Sequence, residues 1–350
     1  MSSLVVIVPG SIEGRTGGYE FDRRVVSGLR ERGWSVAVHE LDGSFPFPAP
    51  AARDHAARVL AAVGDGSTVL VDGLALGALP DEIEREAARL RIVALVHLPL
   101  AEEIGLDRET AARLQASEQR ALAAAALVLA TGRATVDALV GYGVDADRIV
   151  VVEPGTDRAA LARGSRRSPM QLLCVATVNP GKGHEILSRA LAAVPNRHWR
   201  LVCAGSLDRH PPSVAGLRAR LCQDGLADRV ELVGECDAAG LEALYDKADL
   251  FVLATLHETY GMAVAEALAH GLPVISTRTG AIADLVGADA GLLVPPGDGP
   301  ALAGALSRVL GDPATYERLA AGARRARTRL PTWDGTFSKM TAALERVTRG

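Results

Sequence analysis

The sequence predicts an α/β protein of two Rossmann-like parallel-sheet domains, and three observations predict it. Short apolar strands alternate with helical patterns along the whole chain, as expected of open sheets covered on both faces. The alternation pauses once, at a stretch rich in Gly, Ser, Pro and Arg, and then restarts. At 350 residues the chain also exceeds the size at which a single core keeps growing. Hydrophobic residues make up 48% of it and aromatics only 4%, so the interior is mostly Ala, Val and Leu, which suits helices packed on parallel strands.

The first half opens with an apolar strand at 4–9, LVVIVP, and a glycine-rich loop at 10–18. A helix over 19–32, Gly33 and a strand at 35–41 complete a βαβ unit. The loop does not fit G-x-G-x-x-G, and Glu40 is only a partial match to a ribose-binding acid, so a dinucleotide cofactor is disfavoured. Strands follow at 68–71, 91–96, 127–130 and 149–152, with helices near 51–63, 80–89, 106–125 and 134–142. His97 directly follows the central strand IVALV, and such strand ends are where open α/β sheets place their ligands. Arg163-Gly164-Ser165-Arg166-Arg167-Ser168-Pro169 has linker composition and solvated arginines. The expected domains are therefore 1–162, 163–330 and a returning C-terminal segment at 331–350.

The second half repeats the pattern, with strands at 171–176, 199–204, 230–233, 250–253, 274–276 and 291–294, then helices at 300–310 and 313–328. A ligand cleft is expected between the two halves. The loop at 177–184, TVNPGKGH, puts a lysine, Lys182, in a glycine-bearing turn at a helix start, where a mobile ammonium can lie beside phosphate oxygens. The densest pattern is DLFVLATLHETYGMAVAEALAHGLPV at 249–274: strand, tight turn, helix, strand. That turn aims backbone N–H groups and the positive helix end at whatever lies above it, which favours a phosphate. Glu258 in the turn and Glu266, about two helical turns later, read as separate acceptors for hydroxyl groups.

Glu258, Tyr260-Gly261, Glu266-Ala267, Gly271 and Pro273-Val274 together resemble the E-x7-E signature of retaining, nucleotide-sugar-dependent glycosyltransferases of family 4, the group 1 glycosyltransferases. The resemblance implies the GT-B fold, a sugar donor activated by a nucleoside diphosphate, and a hexosyltransferase-type reaction that retains anomeric configuration. It implies that Glu266 holds the ribose, that Glu258 accepts from a donor-sugar hydroxyl, and that His97 faces that sugar from the first domain. The backbone of Gly17, Gly18, Tyr260, Gly261 and Met262, with Lys182, would stabilise the departing diphosphate, and Gly234 would lie beside the base. The family's Gly-Arg-x-x-x-x-Lys-Gly element departs at Ala176-Thr177, where the arginine is missing, and this leaves Asn179 and Arg15 as substitute donors. The last helix, beginning at 331–333, would return to the first domain.

A net charge of −4 and a pI of about 6.1 point away from nucleic acid. The basic run at 324–329 and Arg23, Arg24, Arg30 and Arg32 are compatible with weak membrane-surface contact. The four cysteines, Cys174, Cys203, Cys222 and Cys236, lack CxxC pairing and read as reduced core residues. With no basic leader and no apolar span, a cytoplasmic location is expected. The resemblance implies neither metal nor cofactor, since the departing phosphate itself can take the acceptor proton, and Asp145-Ala146-Asp147, which precedes a strand, reads as a solvated loop. Two other readings share this architecture: a sugar-nucleotide 2-epimerase, which needs no acceptor, and an inactive nucleotide-sugar-binding subunit, suggested by Thr177. The donor base, the sugar, the acceptor and the oligomeric state leave no trace in these residues.

Overall fold

The computed structural model describes residues 2–165 and 169–349. They form two compact units, the first of residues up to Gly155 with those from Pro331 onward, the second Thr156–Leu330. The first unit holds strands β1 (Ser3–Pro9), β2 (Ser35–Leu41), β3 (Thr68–Asp72), β4 (Arg91–Val96), β5 (Leu127–Ala130) and β6 (Ile149–Val151). The second holds β7 (Met170–Val175), β8 (Trp199–Ala204), β9 (Val230–Gly234), β10 (Leu250–Leu253), β11 (Val274–Thr277) and β12 (Gly291–Val294).

Each set makes one six-stranded sheet, in the orders β2-β1-β3-β4-β5-β6 and β12-β11-β10-β7-β8-β9, and every pairing is parallel. The inner strands β3, β5, β10 and β11 are buried at every residue, which is why their sequences show no alternation of apolar and exposed polar positions. In each sheet the chain works outward in one direction and then returns to build the other side. This reversal falls between β1 and β3 in the first sheet and between β7 and β10 in the second. Loops leaving the carboxyl ends of strands on the two sides of a reversal diverge, and the gap between them is where such sheets bind ligands.

Several helix boundaries follow from caps that the spacing alone did not locate. The first helix, Gly17–Glu31, starts two residues before the expected position because the Thr16 side chain accepts from the Tyr19 N–H. A short helix at Gly73–Leu76 was not expected; the Asp72 carboxylate starts it by accepting from Leu74 N at 2.8 Å. The last helix, Trp333–Arg349, packs on the first unit. A Cβ at Gly28 would come within 2.5 Å of the Phe337 ring, so the missing side chain is what admits the aromatic. Thr336 Oγ1 also donates to Glu153 O at 2.8 Å.

The boundary expected at 162/163 falls at Gly155/Thr156 instead. Residues just before and inside the predicted linker are already tied to the second unit, since Ala162 N donates to His270 O and Gly164 N to Asp246 O. Arg163 is exposed, as expected, and is also ion-paired: its Nε donates to Asp246 Oδ2 at 2.8 Å. Ser165 N donates to Asp249 Oδ1 at 3.0 Å. The remaining linker positions 166–168 lie outside the described residues. Asp145 and Asp147 are exposed, beside a single 3-10 turn at Ala146–Arg148, as expected of a solvated loop.

Candidate active site

In the second unit, the loops after β7 and β10 flank the strand reversal. The chain leaves β7 through Ala176 and Thr177, and Asn179 Oδ1 accepts from Lys182 N at 3.0 Å, closing a 3-10 turn at Pro180–Lys182. Asn179 is thereby committed to holding the loop. Gly183 follows with φ +65°, and a Cβ there would lie 2.0 Å from Ala254 O, so only glycine lets this loop lie against the end of β10. Two further bonds fasten the loops together, Leu256 N to Gly181 O at 2.7 Å and Thr255 Oγ1 to Gly181 O at 3.2 Å.

This fastening brings the predicted charges into contact. Lys182 Nζ donates to Glu258 Oε2 at 2.7 Å, with the two side chains 28% and 17% exposed. Gly280, from the loop after β11, seats the Glu258 backbone, since a Cβ there would fall 1.8 Å from Glu258 O. Ala281 N donates to Thr259 O at 3.1 Å. Gly261 then caps the helix Met262–Ala269 at φ 95°, and Val264 N and Ala265 N bond back to its carbonyl. The earliest N–H groups of that turn have no carbonyl to meet within the helix, which leaves them for an anion. Tyr260 is buried beside them.

Glu266 lies on the same helix and accepts from Tyr245 Oη at 2.8 Å. Burial, and then the neighbouring Glu266 charge, push the Tyr245 phenol well above its ordinary pKa, so it stays a donor. Its ring stacks on His270 at 4.7 Å. Gly234 ends β9, and its carbonyl accepts from Gly205 N at 2.8 Å. Thr177, in place of the family arginine, is half-buried. Cys174 and Cys203 face each other in register across β7 and β8, both buried, with His184 Nε2 3.8 Å from Cys174 Sγ.

The first unit has its own constellation at the reversal between β1 and β3. His97, immediately after β4, has Nε2 3.0 Å from Asp22 Oδ1 and 3.6 Å from Asp72 Oδ2. Asp22 is carried by the helix that follows β1, and Asp72 ends β3. Gly18 lies against the imidazole, its would-be Cβ 3.5 Å from His97 Cδ2, while Gly17 opens the helix. Arg15 is exposed in the preceding loop. Burial, and then repulsion from Asp22, push the Asp72 carboxyl up to about 7. Burial alone would lower the His97 pKa, but the two carboxylates outweigh it and hold it above the ordinary value.

Sequence reasoning missed Tyr245, Asp22 and Asp72. Asp72 directly follows the apolar run at 68–71, so the rule that singled out His97 could have found it. Asp22 stands among Phe21, Val25 and Leu29, a polar residue on a buried helix face. Tyr245 carries no local signal.

The topology and these strand-end sites define the GT-B class of two-unit α/β proteins. Sucrose-phosphate synthase from Thermosynechococcus elongatus superposes with a TM-score of 0.83 at 21% identity over 99% of both chains. Anabaena HepE, solved with UDP and glucose, gives 0.79 at 18% identity over 98% of this chain and 99% of its own. At such identities the likeness establishes the fold. Residues 169–312 match the family Glycosyl transferases group 1. A D-inositol 3-phosphate glycosyltransferase from Jonesia denitrificans is 33% identical over 259 residues, covering 68% of this chain and 61% of that protein. The alignments thus span about three fifths of the curated relatives' own length. Among the described residues no helix is long and apolar enough to cross a membrane.

Proposed function

We propose that the protein transfers a sugar, of the hexosyl type, from a nucleoside diphosphate donor to an acceptor hydroxyl with retention of configuration. The observation that carries this reading is the joint placement of Lys182, Glu258 and the start of the helix Met262–Ala269 beside the strand reversal of the second sheet, inside the matched segment. HepE, a structural neighbour, binds UDP-glucose, which supports a nucleotide-sugar donor for this chain too.

Charge develops on the diphosphate as the sugar–phosphate bond breaks, and preorganised positive groups lower that barrier. Lys182 and the backbone amides of Tyr260, Gly261 and Met262 supply them. On donor binding the Lys182 ammonium turns from Glu258 toward the phosphates, which releases the Glu258 carboxylate to accept from a sugar hydroxyl. Glu266, steadied by Tyr245, takes the ribose hydroxyls. Gly234 lies beside the base. In the first unit Gly17, Gly18 and His97 are assigned to substrate contact as well. The half-buried Thr177 leaves Lys182 as the main side-chain cation of the phosphate site.

The test is to incubate the chain with labelled nucleoside diphosphate sugars and a panel of hydroxyl acceptors, and to read the anomeric configuration of the product by NMR. Retained transfer supports the proposal, and an inverted product contradicts it. Isomerised sugar formed without acceptor would indicate an epimerase. Tight donor binding without turnover would favour a binding subunit, the second reading that Thr177 motivates.

A further inference from the structure

We propose that Asp22 and Asp72 are positioning residues that hold His97 as its Nε2–H tautomer and present Nδ1 to a substrate hydroxyl. This rests on the proposed transferase reading for the identity of the substrate, but not for the cradle itself.

Three elements converge to build it. Asp22 comes from the helix Gly17–Glu31, Asp72 from the end of β3 and His97 from the end of β4, so the cluster lies at the β1–β3 reversal where this sheet would bind a ligand. The Asp22 and Asp72 side chains are only 1% and 6% exposed, whereas His97 retains 23%. Asp22 Oδ2 is buried without a hydrogen-bond partner. A core selected for stability alone would gain nothing from this, because two buried carboxylates around one imidazole cost more in lost hydration than well-packed apolar groups. Costly arrangements of this kind concentrate at functional sites.

The cradle fixes which nitrogen is presented. Nε2 is committed to Asp22 at 3.0 Å, and Asp72 Oδ1 is committed to the Leu74 N–H, leaving its Oδ2 near the same ring nitrogen. Nδ1 has no partner among the described residues. The ring is also held sterically, by Gly18 at its Cδ2 edge and by Phe21 meeting it edge-on, with centroids 5.5 Å apart at 83°. With Nε2–H donated to Asp22, neutral His97 has its lone pair on Nδ1 and accepts a hydroxyl hydrogen bond there. The titratable groups facing the ring are Asp22 from the first helix and Asp72 from β3; the last helix contributes Trp333, which packs on Phe21. Activity is accordingly expected to rise with pH as His97 loses its proton.

The deciding experiment is an NMR pH titration of the full chain labelled with 15N-histidine, with His97 assigned by His97→Gln. The wild type should titrate above the ordinary histidine value and be neutral as the Nε2–H form. Asp22→Asn should lower that pKa and mix the tautomers, and Asp72→Asn should lower it less. Unchanged pKa and tautomer in Asp22→Asn would overturn the proposal. In turnover assays Asp22→Asn should reduce kcat about tenfold, the order expected for one lost charge-assisted hydrogen bond, with donor KM little changed and the acid limb moved to lower pH. Equal slowing of donor hydrolysis and of transfer would place Nδ1 on a donor hydroxyl; slowing of transfer alone would place it on the acceptor. A wild type that transfers no sugar would defeat the transferase reading while leaving the NMR outcome to decide the cradle.

Discussion

Lys182 Nζ donates to Glu258 Oε2 over 2.7 Å, so the cation that follows β7 and the carboxylate that follows β10 neutralise one another across the strand reversal of the second sheet. With no donor bound, each charge is kept from being stranded in a half-buried place. With a diphosphate present, the lysine gains a better partner. Lys182→Ala is therefore expected to weaken nucleoside diphosphate binding about tenfold or more, as a hydrogen bond between charged groups contributes roughly 1.5–3 kcal/mol. Isothermal calorimetry checks it, and an unchanged Kd would remove Lys182 from the phosphate site.

Gly183 seats the loop after β7, and Gly280 the loop after β11, against the chain that follows β10, with would-be Cβ positions 2.0 Å from Ala254 O and 1.8 Å from Glu258 O. Each neighbour is backbone and cannot swing aside. Gly183→Ala and Gly280→Ala should each destabilise the fold by at least about 1–3 kcal/mol, the cost of a strained left-handed residue, before the clash is added. Urea midpoints measure this, and a loss of donor affinity beyond the loss of stability would show that the loop geometry matters to the site.

Tyr245→Phe removes one phenolic oxygen and leaves the stack on His270 in place. Glu266 then loses one of the groups that orient it. We expect several-fold weaker binding of a nucleoside diphosphate and a smaller effect on inorganic pyrophosphate, which lacks ribose. Equal losses for both ligands would contradict the assignment of Glu266 to the ribose.

Glu118 gives a pH prediction remote from the chemistry. Burial pushes its carboxyl up to about 8, opposed by the Leu100 N–H that it accepts at 2.8 Å. The folded pKa lies above the unfolded one, so the folded state binds more protons between about pH 4.5 and 8, and this group's contribution to stability falls as pH rises through that window, by at most about 1.4 kcal/mol per unit. Glu118→Gln keeps the acceptor and removes the charge. Its urea midpoint should gain on the wild type steadily from acid to pH 8; parallel curves would mean that Glu118 ionises normally.

The residues that could be read from sequence were those whose position followed from their own segment. The inner strands were legible because burial on both faces leaves unbroken runs such as LFVL, and Lys182, Glu258 and Glu266 because each sits in a turn or helix with its own signature. The order of strands was not legible, since it depends on which crossovers return to which side of the sheet. The Lys182–Glu258 bond was hidden for the same reason, its partners being 76 residues apart. Tyr245 meets Glu266 only because the fold brings the helix Ala238–Lys247, before β10, within hydrogen-bond reach of the one after it. The four-residue helix at Gly73–Leu76 is too short for any apolar period, and the domain boundary was displaced because Ala162 and Gly164 pair with a part of the chain far downstream.

The measurement that tests the central claim most directly is a calorimetric screen of UDP-, GDP-, ADP- and dTDP-sugars against the wild-type chain, repeated with Lys182→Ala and Glu266→Ala. The account predicts that at least one of these donors binds and that both substitutions weaken it. Binding of none, or binding unaffected by either change, would contradict it.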